Sequence, residues 1–229
     1  MQEERRALSQ VKKIPLLKEL PRQELARLAD EGKVSEHRRR RVVYMPGDPG
    51  ASVFGIAAGR VKISRVTPDG KELTLAYRLQ GELFGENCLF VGEPREEMAE
   101  TADHTTLIEF PRQLIEELLA AHADLTLELT RTLLERRRAL ERKIEDLIFK
   151  DVNSKLAELL LVLAKRYGVA EPRGTLISVK VTHQEMANLI GSTRETVSLA
   201  LSQFKRQKLI HLEARRVIIA DKEALEAII

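Results

Sequence analysis

The spacing of apolar positions along this chain changes twice. Between Pro15 and Ala29, Leu16, Leu17, Leu20, Leu25 and Leu28 fall at helical intervals on either side of Pro21, which predicts short helices. From Val34 to Phe110 the period drops to two, as in Val61-Lys62-Ile63-Ser64 and in the segment from Glu72 to Tyr77, which predicts short strands. Gly47, Gly59, Gly70, Gly81 and Gly92 punctuate this region about every eleven residues, the rhythm of a β-sandwich or β-roll. Asp69-Gly70 marks a hairpin.

After Pro111 the pattern turns helical, and no glycine or proline occurs from Arg112 to Lys165. Leu133, Leu140 and Leu147 recur every seven residues with Ile144 at a flanking core position, a seam on which a long helix pairs with its own copy. Thr130 and Arg137 take the alternate core positions, and the row also fits a helix packed within its own domain. Charged Arg136, Arg138, Glu141, Arg142, Lys143 and Asp146 on the other faces favour pairing. A second helix follows Asp151 with Leu156, Leu159, Leu160, Leu163 and Ala164, and ends near Tyr167-Gly168. Val169 to Gly174, with Pro172, reads as a surface loop.

The most informative segment lies further on. Thr182-His183-Gln184-Glu185 has the form of a capping box and opens a helix whose apolar face is Met186, Ala187, Leu189 and Ile190. Gly191 ends that helix, and Ser192-Thr193-Arg194-Glu195 reads as a second capping box. The helix it opens turns Val197, Ala200, Leu201 and Phe204 inward. Two capped helices joined by a tight glycine turn make a helix-turn-helix, and His211 to Ile219 reads as a hairpin that makes it winged. In such a unit the start of the second helix enters the major groove. Arg194 can then read guanine, Glu195 can accept from a cytosine amine, and Ser198 stands beside them. Thr182, Gln184, Ser192, Thr193, Thr196, Lys205 and Lys208 are placed to hold phosphates. A capped helix pair also occurs where no nucleic acid binds, and Arg194 with Glu195 also fits a surface ion pair.

Charge adds a little. The net charge is +3, too small by itself to indicate nucleic acid. Its distribution says more: Lys180, Arg194, Lys205, Arg206, Lys208, Arg215 and Arg216 face only Glu185, Glu195 and Glu213 between positions 180 and 216. The basic run His37 to Arg41 reads as a solvated surface. Cys88 is the single cysteine, so an internal disulfide and a cysteine-only metal or iron–sulfur site within one chain are excluded, and the thiol reads as a small packed side chain. No apolar run nears the roughly 20 residues that span a bilayer, and the first residues have no secretory pattern. No membrane partner and a cytoplasmic location are therefore expected.

The segment Val181 to Ser198, VTHQEMANLIGSTRETVS, resembles the helix-turn-helix signature of the catabolite-activator (CRP/FNR) regulators. Pro46-Gly47-Asp48, Gly59-Arg60-Val61, Gly81 and Phe84-Gly85-Glu86 resemble that family's β-roll landmarks, and Phe149-Lys150-Asp151-Val152 resembles its hinge. The resemblance covers nearly the whole chain. It implies an α+β fold: a cyclic-nucleotide-binding-like β-roll (a double-stranded β-helix) over residues 1–112, a long dimerisation helix over 113–150, and a winged helix-turn-helix over 151–229. It further implies a homodimeric transcription regulator rather than an enzyme. Such a dimer binds double-stranded DNA at a palindromic, TGTGA-like site and has RNA polymerase as a further partner. Arg194 and Glu195 are implied contacts to the GTGA half-site, and Leu199 stands where many members carry a second arginine.

The effector is open at this stage. Gly85 and Glu86 match the pair that holds the ribose in cyclic-AMP-binding members, and Arg95 matches the phosphate arginine. Glu96 and Glu97 follow it, however, where a carboxylate repels a phosphate, and Leu140 and Glu141 replace the pair that reads adenine. The global nitrogen regulators are a nearer branch. Their 2-oxoglutarate site falls on Arg95, Arg136 and Glu141, and a dicarboxylate suits guanidinium forks. The expected pocket is therefore Phe84, Gly85, Glu86, Arg95, Arg136 and Glu141, with 2-oxoglutarate favoured over cyclic AMP. A regulator governed by its own abundance, with no effector, is the alternative. A cupin-like enzyme is a remote one, because His37 and His104 are the only histidines in the roll and no metal site is expected.

Overall fold

The computed structural model describes residues 2–90, 94–213 and 216–229, and for Gln2–Arg5, Asp146 and Leu147 it describes the backbone alone. Gly92, Arg215 and the side chains of Asp146 and Leu147, all used above, therefore lie outside the described residues. The chain divides into two compact units, Met1–Arg137 and Arg138–Ile229.

The first unit opens with α1 (Gln2–Val11), α2 (Pro15–Lys18) and α3 (Arg22–Glu31). The last two are the short helices expected around Pro21; α1 was not foreseen, because its charged residues mask the buried Val11. The strands follow: β1 (Lys33–His37), β2 (Val42–Tyr44), β3 (Ser52–Ala58), β4 (Arg60–Val66), β5 (Glu72–Leu79), β6 (Leu83–Phe84), β7 (Met98–Thr101) and β8 (Thr105–Pro111). They form one four-stranded sheet in the order β1-β8-β3-β6 and another in the order β2-β7-β4-β5. The pairing is antiparallel throughout, with β4 and β5 joined across the Asp69-Gly70 turn.

Strand β3 shows why this is a roll with a helical cover. Its apolar run is buried on both faces. Phe54 and Ile56 point into the roll with Tyr44, Val61, Ile63, Phe84, Ala99 and Leu107. Val53 and Ala57 point the other way, against Val11, Ile14, Leu28, Phe110 and Leu114. A strand covered on both sides reads as a continuous apolar run, which is what Val53 to Ala58 shows.

The long helix differs from its expected bounds. Helix α4 (Arg112–Ala121) stops at His122, whose extended backbone (φ −125°) separates it from α5 (Ala123–Phe149). No breaker residue marks this point. Tertiary packing sets it: Leu114, Ile115 and Leu118 of α4 and Leu125 of α5 must all reach the same core, and a straight helix does not bring them there. The segment expected as one long helix over 113–150 is thus two, and its long part begins at Ala123.

In the second unit Asp151 caps α6 (Val152–Tyr167), its carboxylate accepting from Ser154 N–H at 2.7 Å. The segment read as a loop is instead a hairpin, β9 (Gly168–Glu171) and β10 (Gly174–Ile177). The chain continues through α7 (His183–Ile190), α8 (Arg194–Arg206), β11 (Ile210–Glu213), β12 (Arg216–Ile219) and α9 (Lys222–Glu226). The sheet order β11-β12-β10-β9 explains the correction: β10 lies between β9 and the wing strand β12, and the strands are too short to show a period of their own. Leu156, Leu160, Met186, Ile190, Val197, Leu201 and Phe204 fill the core of this unit.

Candidate nucleic-acid interface and roll pocket

Helices α7 and α8 are fixed by their caps. Thr182 Oγ1 accepts from Glu185 N–H at 3.1 Å, while the Glu185 carboxylate accepts from Thr182 N–H at 2.8 Å, the complete reciprocal box. Gly191 sits in the left-handed region (φ 63°, ψ 48°) and turns the chain between the helices. The second cap is Thr193, not Ser192: Thr193 Oγ1 accepts from Thr196 N–H at 3.2 Å, and Ser192 spends its own N–H on Ala187 O. The expected box is therefore replaced by a one-sided cap whose third helical residue is Thr196, and Glu195 faces outward. Thr182→Ala removes one half of the α7 box. It should destabilise the second unit by about 1 kcal/mol, read as a lower unfolding midpoint in urea; an unchanged midpoint would show that water replaces the hydroxyl.

With Val197, Ala200, Leu201 and Phe204 buried, α8 presents Thr193, Arg194 and Glu195 to solvent at its N-terminus. Ser198 is half-buried and tied. Its hydroxyl lies 2.8 Å from Arg194 O and 2.8 Å from His183 Nδ1. A hydroxyl has one proton; with that proton given to Arg194 O, His183 Nδ1–H is the donor to Ser198. Ser198 can then only accept from a base, and His183, which the sequence did not single out, holds it in place across the two helices. The hydroxyls of Thr182, Thr193 and Thr196 are likewise engaged, the last two with each other at 2.8 Å. Gln184 donates to Asn188 at 2.8 Å. Lys205 and Lys208 are exposed, Lys208 in the left-handed region (φ 61°) just past α8. A cleft of about 660 Å³ runs between this face and the wing, lined by His183, Gln184, Arg194, Leu212, Arg216 and Val217 among others.

In the roll, Gly85 (φ 77°) opens the turn Glu86–Leu89 and swings Glu86 inward. A side chain at Gly85 would strike Arg95, whose Nη1 would lie 2.7 Å from the added Cβ. Arg95 is buried and committed to backbone: Nη1 donates to Gly85 O at 2.7 Å and Nη2 to Ser52 O, while the guanidinium lies 4.3 Å from the Tyr44 ring centroid. Phe84 stacks on Phe54 at 5.1 Å. From α5, Arg136 reaches Glu86 at 2.6 Å, Leu83 O at 2.8 Å and Glu82 at 3.3 Å. The side chains of Arg136 and Glu86 are only 11% and 8% exposed. Nε of Arg95 and of Arg136 are buried with no hydrogen-bond partner among the described residues. Phe84, Gly85, Glu86, Arg95 and Arg136 are thus brought together in the first unit, whereas Glu141 is exposed in the second. Cys88 is buried, its thiol pushed up by burial.

Glu97 points toward this cluster and accepts from the Tyr44 hydroxyl at 3.1 Å. Burial, then the neighbouring Glu86, raises its carboxyl above the ordinary carboxylate range. An ionised group held above its unfolded pKa costs stability at neutral pH, and protonation removes that cost. Glu97→Gln should therefore raise the unfolding midpoint at pH 7–8. The gain should fade as the pH falls through the raised value to the ordinary one; a gain that grows on acidification would contradict this.

On α5, Leu133 is half-buried, Leu140 and Ile144 are exposed, and Leu147 lies among the undescribed side chains. Leu127, Leu134 and Ile148 are also exposed, at heptad positions one residue on from the expected row. Among the described residues no helix is long and apolar enough to cross a membrane.

Residues 34–122 match the model of the cyclic nucleotide-binding domain, and residues 154–228 match that of the Crp-like helix-turn-helix domain. A CRP-like cAMP-activated global transcriptional regulator of Mycobacterium tuberculosis is 35% identical over 187 residues, which is 82% of this chain and 84% of that protein. A global nitrogen regulator of Synechocystis is 32% identical over 189 residues, again 82% and 84%. Among solved structures, the c-di-GMP responsive global regulator CLP of Xanthomonas campestris superposes with a TM-score of 0.78 at 27% identity, over 87% of this chain and 99% of that one.

Proposed function

Because this chain belongs to the CRP/FNR family of DNA-binding transcription regulators, which are not enzymes, we propose that it acts as a homodimer on a palindromic, TGTGA-like site and answers to a small dicarboxylate in the roll. The observation that carries the DNA reading is the capped start of α8, where Arg194 and Glu195 stand exposed beside an oriented Ser198. Lys205 and Lys208 supply phosphate contacts, as do N–H groups of the first helical turns. The exposed apolar residues of α5, Leu127, Leu134, Leu140, Ile144 and Ile148, pair with those of the second copy. RNA polymerase is the partner such a regulator requires.

The effector reading rests on the Arg136–Glu86 pair, which ties a roll turn to α5. A ligand carboxylate that takes Arg136 from Glu86 changes how the roll holds that helix, which is the differential contact that coupling needs. The unpartnered Nε atoms of Arg95 and Arg136 are further donors for it. We favour 2-oxoglutarate over cyclic AMP because Leu140 and Glu141 replace the pair that reads adenine, while Arg95 and Arg136 offer guanidinium donors suited to carboxylates. An effector-independent regulator is the second reading, and the same pair favours it: Glu86 already satisfies Arg136 within the chain. Thermal unfolding with 2-oxoglutarate, cyclic AMP or neither separates them. A ligand at a hundred times its dissociation constant stabilises by about 2.7 kcal/mol. A shift with 2-oxoglutarate that is lost in Arg136→Ala supports the dicarboxylate. A shift with cyclic AMP alone overturns that choice. No shift, with full DNA affinity in the ligand-free protein, selects the second reading.

A further inference from the structure

One side chain on α8 does not fit a face built only for polar contacts. Along the outward side of the helix, Glu195, Leu199, Ser202 and Arg206 follow one another at spacings of four, three and four residues, a single row opposite the buried Val197, Ala200, Leu201 and Phe204. Leu199 is 72% exposed at the middle of that row. Lone exposed leucines are ordinary on a protein surface. This one, however, stands one turn beyond Glu195, among Thr196, Ser202 and Gln203, on a helix whose two ends carry Arg194, Lys205 and Arg206. A single leucine among polar side chains is too small a patch to seat another protein, which takes several hundred Å² of apolar surface. In a major groove the one apolar group a base edge offers is the C5-methyl of thymine.

We infer that Leu199 is a specificity-determining residue that reads a thymine methyl; the inference rests on the DNA-binding role proposed for α8. Leu199 lies four residues past Glu195, about 6 Å along the helix, or roughly one to two base-pair steps of about 3.4 Å. The thymine therefore sits one or two base pairs from the position that Glu195 reads. Leu199 is exposed and touches no core, so its replacement leaves the fold intact.

The test uses the full chain and the site it selects from random duplex DNA. Each thymine of the half-site is replaced in turn by deoxyuridine, which removes the methyl and nothing else. Wild type should lose affinity about fourfold at one thymine, the cost of one apolar carbon left unburied, and about fifteenfold when both half-sites are changed. Leu199→Ala should bind the thymine and uracil duplexes alike, and Leu199→Arg should move the preference at that pair toward guanine. Uracil tolerated at every position by wild type overturns the inference, and so does a methyl effect that survives in Leu199→Ala. Equal affinity of wild type for selected and scrambled duplexes brings down the DNA-binding role itself and the inference with it. Selective binding with no methyl effect removes the inference alone.

Discussion

Arg194→Ala should lower affinity for the specific site by about 1–3 kcal/mol in each half-site, so about thirtyfold to more than ten-thousandfold for a dimer that engages both. The change removes a fork at the exposed start of α8 and disturbs neither the Thr193 cap nor the buried row behind it. The loss should be specific: selectivity at one base pair relaxes, while affinity for scrambled DNA falls by no more than the loss of one charge. Lys205→Ala is the contrast. It should weaken every sequence alike and reduce the steepness of the salt dependence by about two, one for each chain of the dimer. A titration of both variants on matched and scrambled duplexes at several salt concentrations distinguishes the two roles. If the Arg194 and Lys205 variants lose affinity in the same pattern, Arg194 holds a phosphate and reads no base.

Arg136→Ala should destabilise the first unit by about 3–5 kcal/mol, since it leaves the Glu86 carboxylate buried without its partner. Glu82 is more exposed and 3.3 Å away, a weaker contact that does not offset the loss. The size of the effect reflects the unpaired charge rather than the strength of the pair. Replacing both members with apolar side chains, Glu86→Leu with Arg136→Met, should therefore recover most of the stability. Urea unfolding of the single and double variants measures this. Additive losses in the double variant would show that the two residues act separately. The same variants bear on function, because a ligand that needs Arg136 has no partner left in the double variant.

The second unit was legible to the extent that it is local. A capping box, a glycine turn and an apolar stripe are written within a few residues, and Thr182, Gly191, Val197 and Phe204 take the places their spacing predicts. Where the reading slipped, the cause was a near-equivalent choice or a distant partner. Ser192 and Thr193 both offer a hydroxyl, and only the backbone decides that Thr193 caps. Strands β9 and β10 exist because β12 is there to pair with, which four residues of sequence do not announce. The break at His122 follows from a shared core and not from any residue at the break. The roll pocket was the least legible. Arg95, Glu86 and Arg136 were identifiable as charged groups, but their commitments were not: Arg95 is tied to backbone carbonyls and Arg136 to Glu86. Glu97 was placed beside Arg95 by its sequence position, but Tyr44, which completes the cluster by donating to Glu97 and lying against Arg95, carried no signal beyond being one aromatic among several.

Selection from random duplex DNA, followed by a count of chains bound per selected duplex, tests the central claim most directly. A dimer reading DNA through two α8 helices should enrich a palindrome whose half-sites lie one helical turn apart, about 10–10.5 base pairs centre to centre, and should bind it with two chains. Enrichment of no sequence, or one chain per duplex on an asymmetric site, would contradict it.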